Sequence, residues 1–82
     1  MRYTAYFLYT RSRPDRACIK DEWIQRAMER PLKTAIQADG RIRKWVKIVE
    51  EDKVLRVILL PDGQTVHNAF FDRSFREVED AD

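Results

Sequence analysis

Eighty-two residues, 44% hydrophobic and 37% charged with one cysteine, describe a single small domain that cannot hold an intrachain disulfide. The longest apolar run falls far short of the ~18 residues of a membrane span, and the start, Arg2 without a following apolar core, is not expected to be a signal peptide. The formal charge of +2 conceals an asymmetry: residues 1–76 carry all 16 basic and 10 of the 14 acidic side chains, a net +6. A basic body argues for contact with a polyanion. The residual acids lie in 77–82, a tail expected to be mobile beyond a domain spanning 1–76. A chain this short buries only a little over ~60% of its unfolded surface, so its core is modest.

In chain order, Tyr3, Ala5, Phe7 and Tyr9 alternate with Thr4, Tyr6 and Leu8 in a stretch of high β-propensity, which predicts a strand over Arg2–Thr10. Thr10 to Asp15 has loop composition, and Asp15 is a candidate cap for a short turn through Arg16-Ala17-Cys18. A helix is expected over Ile19–Arg30. Asp21 and Glu22 suit the positive end of its dipole and Arg30 the negative end. Ile24, Ala27 and Met28 share a face beside Trp23, Ile19 is placed as a staple behind an N-cap at Lys20, and Pro31 stops the helix. Cys18 reads as a small buried residue.

The second half reads as strands punctuated by turns. A short strand over Thr34–Gln37 enters Asp39-Gly40, Arg41–Val49 follows, and Glu50-Glu51-Asp52 leads into Val54–Leu60. Pro61-Asp62-Gly63 then leads into Thr65–Phe71. Asp-Gly between β-rich runs is a strong hairpin signal, since glycine supplies the positive φ of a tight turn. One helical turn is expected over Asp72–Arg76. The fold class is therefore α+β, an N-terminal strand and one or two helices on a twisted antiparallel sheet of three to five strands.

Alternation sorts the strand residues by face. Ile42, Lys44, Val46 and Ile48 oppose Arg41, Arg43, Trp45, Lys47 and Val49. Leu55, Val57 and Leu59 form a clean apolar set. Val66, Asn68 and Phe70 oppose Thr65, His67, Ala69 and Phe71. With the helix on one apolar face, the other would display Arg41, Arg43, Lys47, Arg56 and His67 around Trp45 and Phe71. Guanidinium groups hold phosphates bidentately and rings stack on unpaired bases, so such a face suits RNA. The alternative places Trp45 in the core with a solvated basic rim. Arg56 interrupts an apolar strand, so it either pairs, with Asp72 or Glu50 for example, or serves a site. His67, the one histidine, is a candidate general acid or base or a hydrogen-bonded structural residue. No zinc spacing, catalytic triad or phosphate loop exists, and no cofactor or metal is expected. Metal-free phosphodiester chemistry is the one enzymatic route the composition supports.

The run Glu22–Pro31, with Asp39–Arg43, Leu55-Arg56-Val57, Asp62-Gly63 and Thr65–Arg73, resembles a family of small bacterial domains similar to the BrnT and RelE/ParE-type toxins of toxin–antitoxin operons. The likeness covers roughly 16–75. It implies a cytoplasmic protein that binds RNA or the ribosome, is neutralised by an acidic antitoxin, and cleaves RNA without metal by attack of a ribose 2′-hydroxyl. In that reading Lys47, Arg56 and His67 are catalytic, and Arg41, Arg43, Trp45 and Arg73 hold RNA. The chain departs from the pattern in having Tyr9-Thr10-Arg11 where related domains carry a histidine, and Asn68-Ala69-Phe70-Phe71 where such nucleases place tyrosine or arginine. The competing expectations are a non-catalytic protein-binding module and a homodimer through a sheet edge, with Arg2–Thr10 or Thr65–Phe71 outermost.

Overall fold

A computed structural model describes residues 1–14 and 16–75. The elements in order are β1 (Arg2–Tyr3), α1 (Ala5–Thr10), α2 (Asp21–Glu29), β2 (Lys33–Ile36), β3 (Ile42–Ile48), β4 (Lys53–Leu59) and β5 (Thr65–Phe71), with a 3-10 turn at Val49–Glu51. The strands form one five-stranded sheet in the order β1-β5-β4-β3-β2. β1 runs parallel to β5 and the other pairs are antiparallel, so the sheet is mixed. The class is α+β, with two helices packed on the sheet.

Most of the stretch expected as a first strand is helix. Only Arg2 and Tyr3 pair with β5. Thr4 then takes an extended N-cap conformation, and its Oγ1 accepts from the Phe7 N–H at 3.1 Å, satisfying one donor that a helix start leaves open. Phe7 and Thr10 are buried while Tyr9 is 67% exposed. The governing spacing is therefore i, i+4, i+7 through Tyr3, Phe7 and Thr10, and the apparent alternation is incidental. Burying Phe7 is worth about 1.5–3 kcal/mol, more than the small β-preference of Tyr, Phe and Thr.

α2 starts after Lys20 as expected, with Asp21 and Glu22 in its first turn, although the Lys20 side chain makes no cap bond. It buries Trp23, Ile24 and Ala27, and Ile19 packs in the same core. Arg11 clips the helices together. Its guanidinium lies over the rings of Tyr3 and Phe7 and donates to Asp21 at 2.7 Å, holding that carboxyl below its ordinary pKa. Cys18, expected to be buried, is exposed in the loop before α2. The cap expected at Asp15 and the tail 77–82 lie outside the described residues, as does Arg76. Arg73 and Ser74 form a turn and no helix.

The core lies between the helices and one sheet face, where Val46, Ile48, Leu55, Val57, Leu59, Val66 and Ala69 meet Phe7, Ile24 and Ala27. Hairpins set the register. Gly40, at φ +90°, donates to Gln37 O at 2.9 Å, closing the five-residue connection between β2 and β3. Gly63, at φ +73°, does the same for Leu60 between β4 and β5. In the β3–β4 connection the positive φ falls on Asp52, at 52°. β2 forms one outer edge and β1 the other, so β5 is interior over Thr65 and Val66.

β5 does not alternate as expected. Leu59 pairs with Val66 but Ile58 pairs with Asn68, so His67 is an extra residue in a β-bulge. The insertion shifts the phase by one. Val66, Ala69 and Phe71 all turn toward the helices, and Phe71 meets Trp23 at 6.1 Å between ring centres. Phe71 is therefore not on the open face where strict alternation puts it.

Candidate functional site

On the side away from the helices, register brings together Lys33 and Ala35 of β2, Arg43, Trp45 and Lys47 of β3, Val54, Arg56 and Ile58 of β4, and Asn68 and Phe70 of β5. The strand positions of this face hold four cations and no carboxylate. The acid that enters it, Asp72, comes from just beyond β5.

Asp72 organises the middle of the face. Its Oδ2 accepts the Trp45 indole N–H at 3.0 Å and sits 3.4 Å from Arg56 Nη1. Its Oδ1 takes the backbone N–H and hydroxyl of Ser74, at 2.9 and 2.6 Å, closing a turn. Burial pushes the Asp72 carboxyl up, but the Ser74 and Trp45 hydrogen bonds and the Arg56 charge outweigh that and leave it below its ordinary pKa. The turn carries Phe75 across the sheet to lie 5.6 Å from the Trp45 ring, with the Lys33 ammonium 6.0 Å from the same ring. Trp45 is consequently only 6% exposed. Of the two readings its position allowed, stacking platform or core residue with a basic rim, the burial fits the second, and Trp45 is the centre of a small second core.

Arg56 pairs with Asp72, one of the two partners its sequence position suggested. Glu50, the other, takes two hydrogen bonds from Arg26 at 3.0 and 3.1 Å. The Arg56 guanidinium also lies 4.7 Å above the Phe70 ring. Its Nε is buried and finds no hydrogen-bond partner among the described residues. Arg43 is diagonal to Arg56 across β3 and β4. With the Gln37 amide oxygen turned toward it, Arg43 donates to that oxygen at 2.8 and 3.0 Å, a neutral partner that leaves its charge uncompensated. The loop between the helices reaches the edge of β5, where Arg16 donates to Asn68 at 2.8 Å and covers Phe70 at 5.3 Å.

His67 belongs to a separate corner. Its Nδ1 is 3.2 Å from Thr4 Oγ1, and its ring stacks on Tyr6 at 4.9 Å. Burial, then the nearby Arg41 charge, lowers its pKa, which keeps it neutral near pH 7. Arg41 itself pairs with Asp39 at 3.6 Å. Lys47 lies at the opposite end, its ammonium 3.0 Å from Asp52. Counted through the register, the His67 and Lys47 backbones are on the order of 17 Å apart. Of the expected catalytic residues, Lys47 and Arg56 thus share the open side of the sheet, and His67 lies apart from them at the bulge beside α1. Arg73 is exposed at the edge of the same side, in a cleft with Arg16 and Lys53.

Sequence reasoning missed Thr4 and Tyr6 beside His67, and Phe75 over Trp45. The last had a local signal: Asp72 followed two residues later by Ser74 is an Asx-turn pattern that predicts a reversal after β5. Among the described residues no group of three or more His, Cys, Asp or Glu side chains could hold a metal ion. No helix among the described residues is long and apolar enough to cross a membrane. No protein-family model, curated protein or solved structure matches the chain.

Proposed function

We propose that the protein binds RNA through the uncovered face of its sheet. It would act in the cytoplasm as a small RelE/BrnT-like toxin held in check by an acidic antitoxin that covers the same cations. The observation that carries the reading is the adjacency of Arg43 and Arg56 on the one face the helices leave open, with Asp72 against Arg56 and the neutral Gln37 amide against Arg43. Diagonal positions on neighbouring strands are about 7–8 Å apart at the backbone, within reach of successive phosphates of an extended single strand for two long arginine side chains. The separation of Lys47, Arg56 and His67 fits capture of RNA better than its cleavage. Scission of RNA without metal is the outcome that would correct this point.

The test is binding of a single-stranded RNA as salt is raised. Affinity is expected to fall steeply, with a log–log slope near −0.7 for each phosphate engaged. Arg43→Ala/Arg56→Ala should lower the slope by about 1.4. In parallel, induced expression should arrest growth, and the double substitution should relieve it with the circular dichroism spectrum unchanged. Normal growth and salt-insensitive binding would move the assignment to the second reading, a protein-binding or self-associating module. That reading is favoured by the outer strand β2, where Ile36 is 74% exposed on an edge open to strand addition.

A further inference from the structure

Among the described residues no strand lies beyond β2, which pairs with β3 on one side only. The Gln37 N–H donates to Arg41 O at 2.8 Å, which sets the hydrogen-bonding phase of this hairpin. Residues 33, 35 and 37 therefore turn their backbone groups to β3, and Thr34 and Ile36 turn theirs outward. The side chains divide the same way. Ala35, opposite Arg43, lies on the open face. Thr34 and Ile36, opposite Lys44 and Ile42, lie on the helix side, where Ile36 is left 74% exposed. No proline or bulge interrupts the strand itself, so little guards this edge against pairing.

We propose that β2 pairs antiparallel with the β2 of a second copy of this chain, about a two-fold axis at Ala35. Self-complementarity carries the inference. In this register Thr34 of each copy lies opposite Ile36 of the partner subunit, so the outward N–H and C=O groups of both residues are satisfied. An axis at Thr34 or at Ile36 pairs only one of the two within the strand. The two Ala35 residues form a non-hydrogen-bonded pair, the closer kind at about 4.5 Å between Cα atoms, which suits a methyl side chain. Across the helix side two β-branched residues meet, a favourable strand pair. Lys33 faces a neutral Gln37, and antiparallel pairing brings the half-exposed Asp39 carboxylate to the end of the partner strand that carries Arg30 and Lys33. The pairing joins two sheets into one of ten strands. It places Arg43 of each copy on a line through the axis, three strand spacings or about 14 Å apart. The inference rests on the self-associating reading above, to which it gives a partner and a register, and it is independent of RNA.

Strands of four residues bury less than the ~1,200 Å² of a stable complex, so the dimer is expected to be weak, with a Kd on the order of 100 μM. Sedimentation equilibrium of the full chain should show monomer passing to dimer across that concentration. Thr34→Pro removes an outward N–H and leaves the pairing with β3 intact. By symmetry it deletes two of the four bonds and should weaken the dimer at least about tenfold. Ile36→Lys alters a side chain already in water and should weaken it too, which covers the case in which proline unsettles the hairpin. Cys18 is exposed, so the register is read in a Cys18→Ser background. There Ala35→Cys should cross-link to its own copy on mild oxidation, the pair having disulfide geometry, while Gln37→Cys should not. A monomer at ten times the expected Kd would overturn this inference together with the self-associating reading. A dimer left intact by both Thr34→Pro and Ile36→Lys would overturn the β2 pairing alone, and cross-linking at 37 but not at 35 would overturn the register.

Discussion

The Trp45 indole N–H donates to Asp72 across 27 positions of the chain, at 3.0 Å, on the side of the sheet that no helix covers. This one bond joins the stability of the domain to the charge of its candidate binding face, because the carboxyl oxygen that accepts it also lies against Arg56. Two substitutions separate the roles. Asp72→Ala leaves a buried indole N–H unsatisfied and is expected to destabilise the fold by about 1–3 kcal/mol in urea unfolding followed by tryptophan fluorescence. Asp72→Asn keeps an acceptor oxygen but removes the charge that competes with phosphate for Arg56. It should tighten RNA binding and steepen the salt slope by about 0.7. Weaker binding by Asp72→Asn would show that the pair positions Arg56 and does not occlude it.

Acid sensitivity should arise at the turns. Asp62 accepts from the Thr65 hydroxyl and from the Gln64 and Thr65 N–H groups, which lowers its pKa to about 2. Arg26 does the same for Glu50, also to about 2. Folded-state values below the unfolded ones, near 3.9 for Asp and 4.3 for Glu, stabilise the fold above pH ~4. That stabilisation is lost as pH falls from there toward 2. Asp62→Asn should flatten this acid limb of a stability–pH curve while leaving stability above pH 5 less dependent on pH. An unchanged limb would place the titrating carboxylates elsewhere.

The His67 ring should titrate below the ordinary value of 6.5, observable by NMR. Burial against Tyr6 and Thr4 is the larger cause and Arg41 the smaller. Arg41→Ala should raise the midpoint part of the way, and Tyr6→Ala should raise it by opening the site to water. The sign for stability follows. The fold prefers the neutral ring, so the protein loses stability as pH falls through the unfolded value toward the folded one.

The two turn glycines should differ. Alanine at either position must adopt a left-handed conformation, at about 1–2 kcal/mol. At Gly63 a new Cβ would meet only the end of Ile42, at 3.7 Å. At Gly40 it would press on the Pro61 ring at 3.3 Å. Gly40→Ala should therefore cost more than Gly63→Ala in chemical denaturation, and the reverse order would show that the Pro61 turn yields readily.

The hairpins and α2 were legible in the sequence because their causes are local. Asp39-Gly40 and Pro61-Asp62-Gly63 encode their turns through backbone conformation, and Leu55, Val57 and Leu59 encode their face through period two. α1 was not. Its residues favour strand one by one, and the Thr4 cap and the burial of Phe7 in the core decide otherwise. The bulge at His67 was equally hidden. Nothing in Val66-His67-Asn68-Ala69 signals it, because the phase shift is needed only to let both Val66 and Ala69 reach the core.

By itself the sequence determined the α+β class, the basic body, the position of the turns, and the sharing of one strand face by Arg43 and Lys47. These follow from composition and from repeats a few residues long. The tertiary structure alone decided that Trp45 is covered, that Asp72 occupies Arg56, and that His67 is parted from Lys47. It also brought Arg16, Lys53 and Arg73 to one cleft. Such relations join residues tens of positions apart, and they arise from chain reversals and strand register that no local pattern encodes.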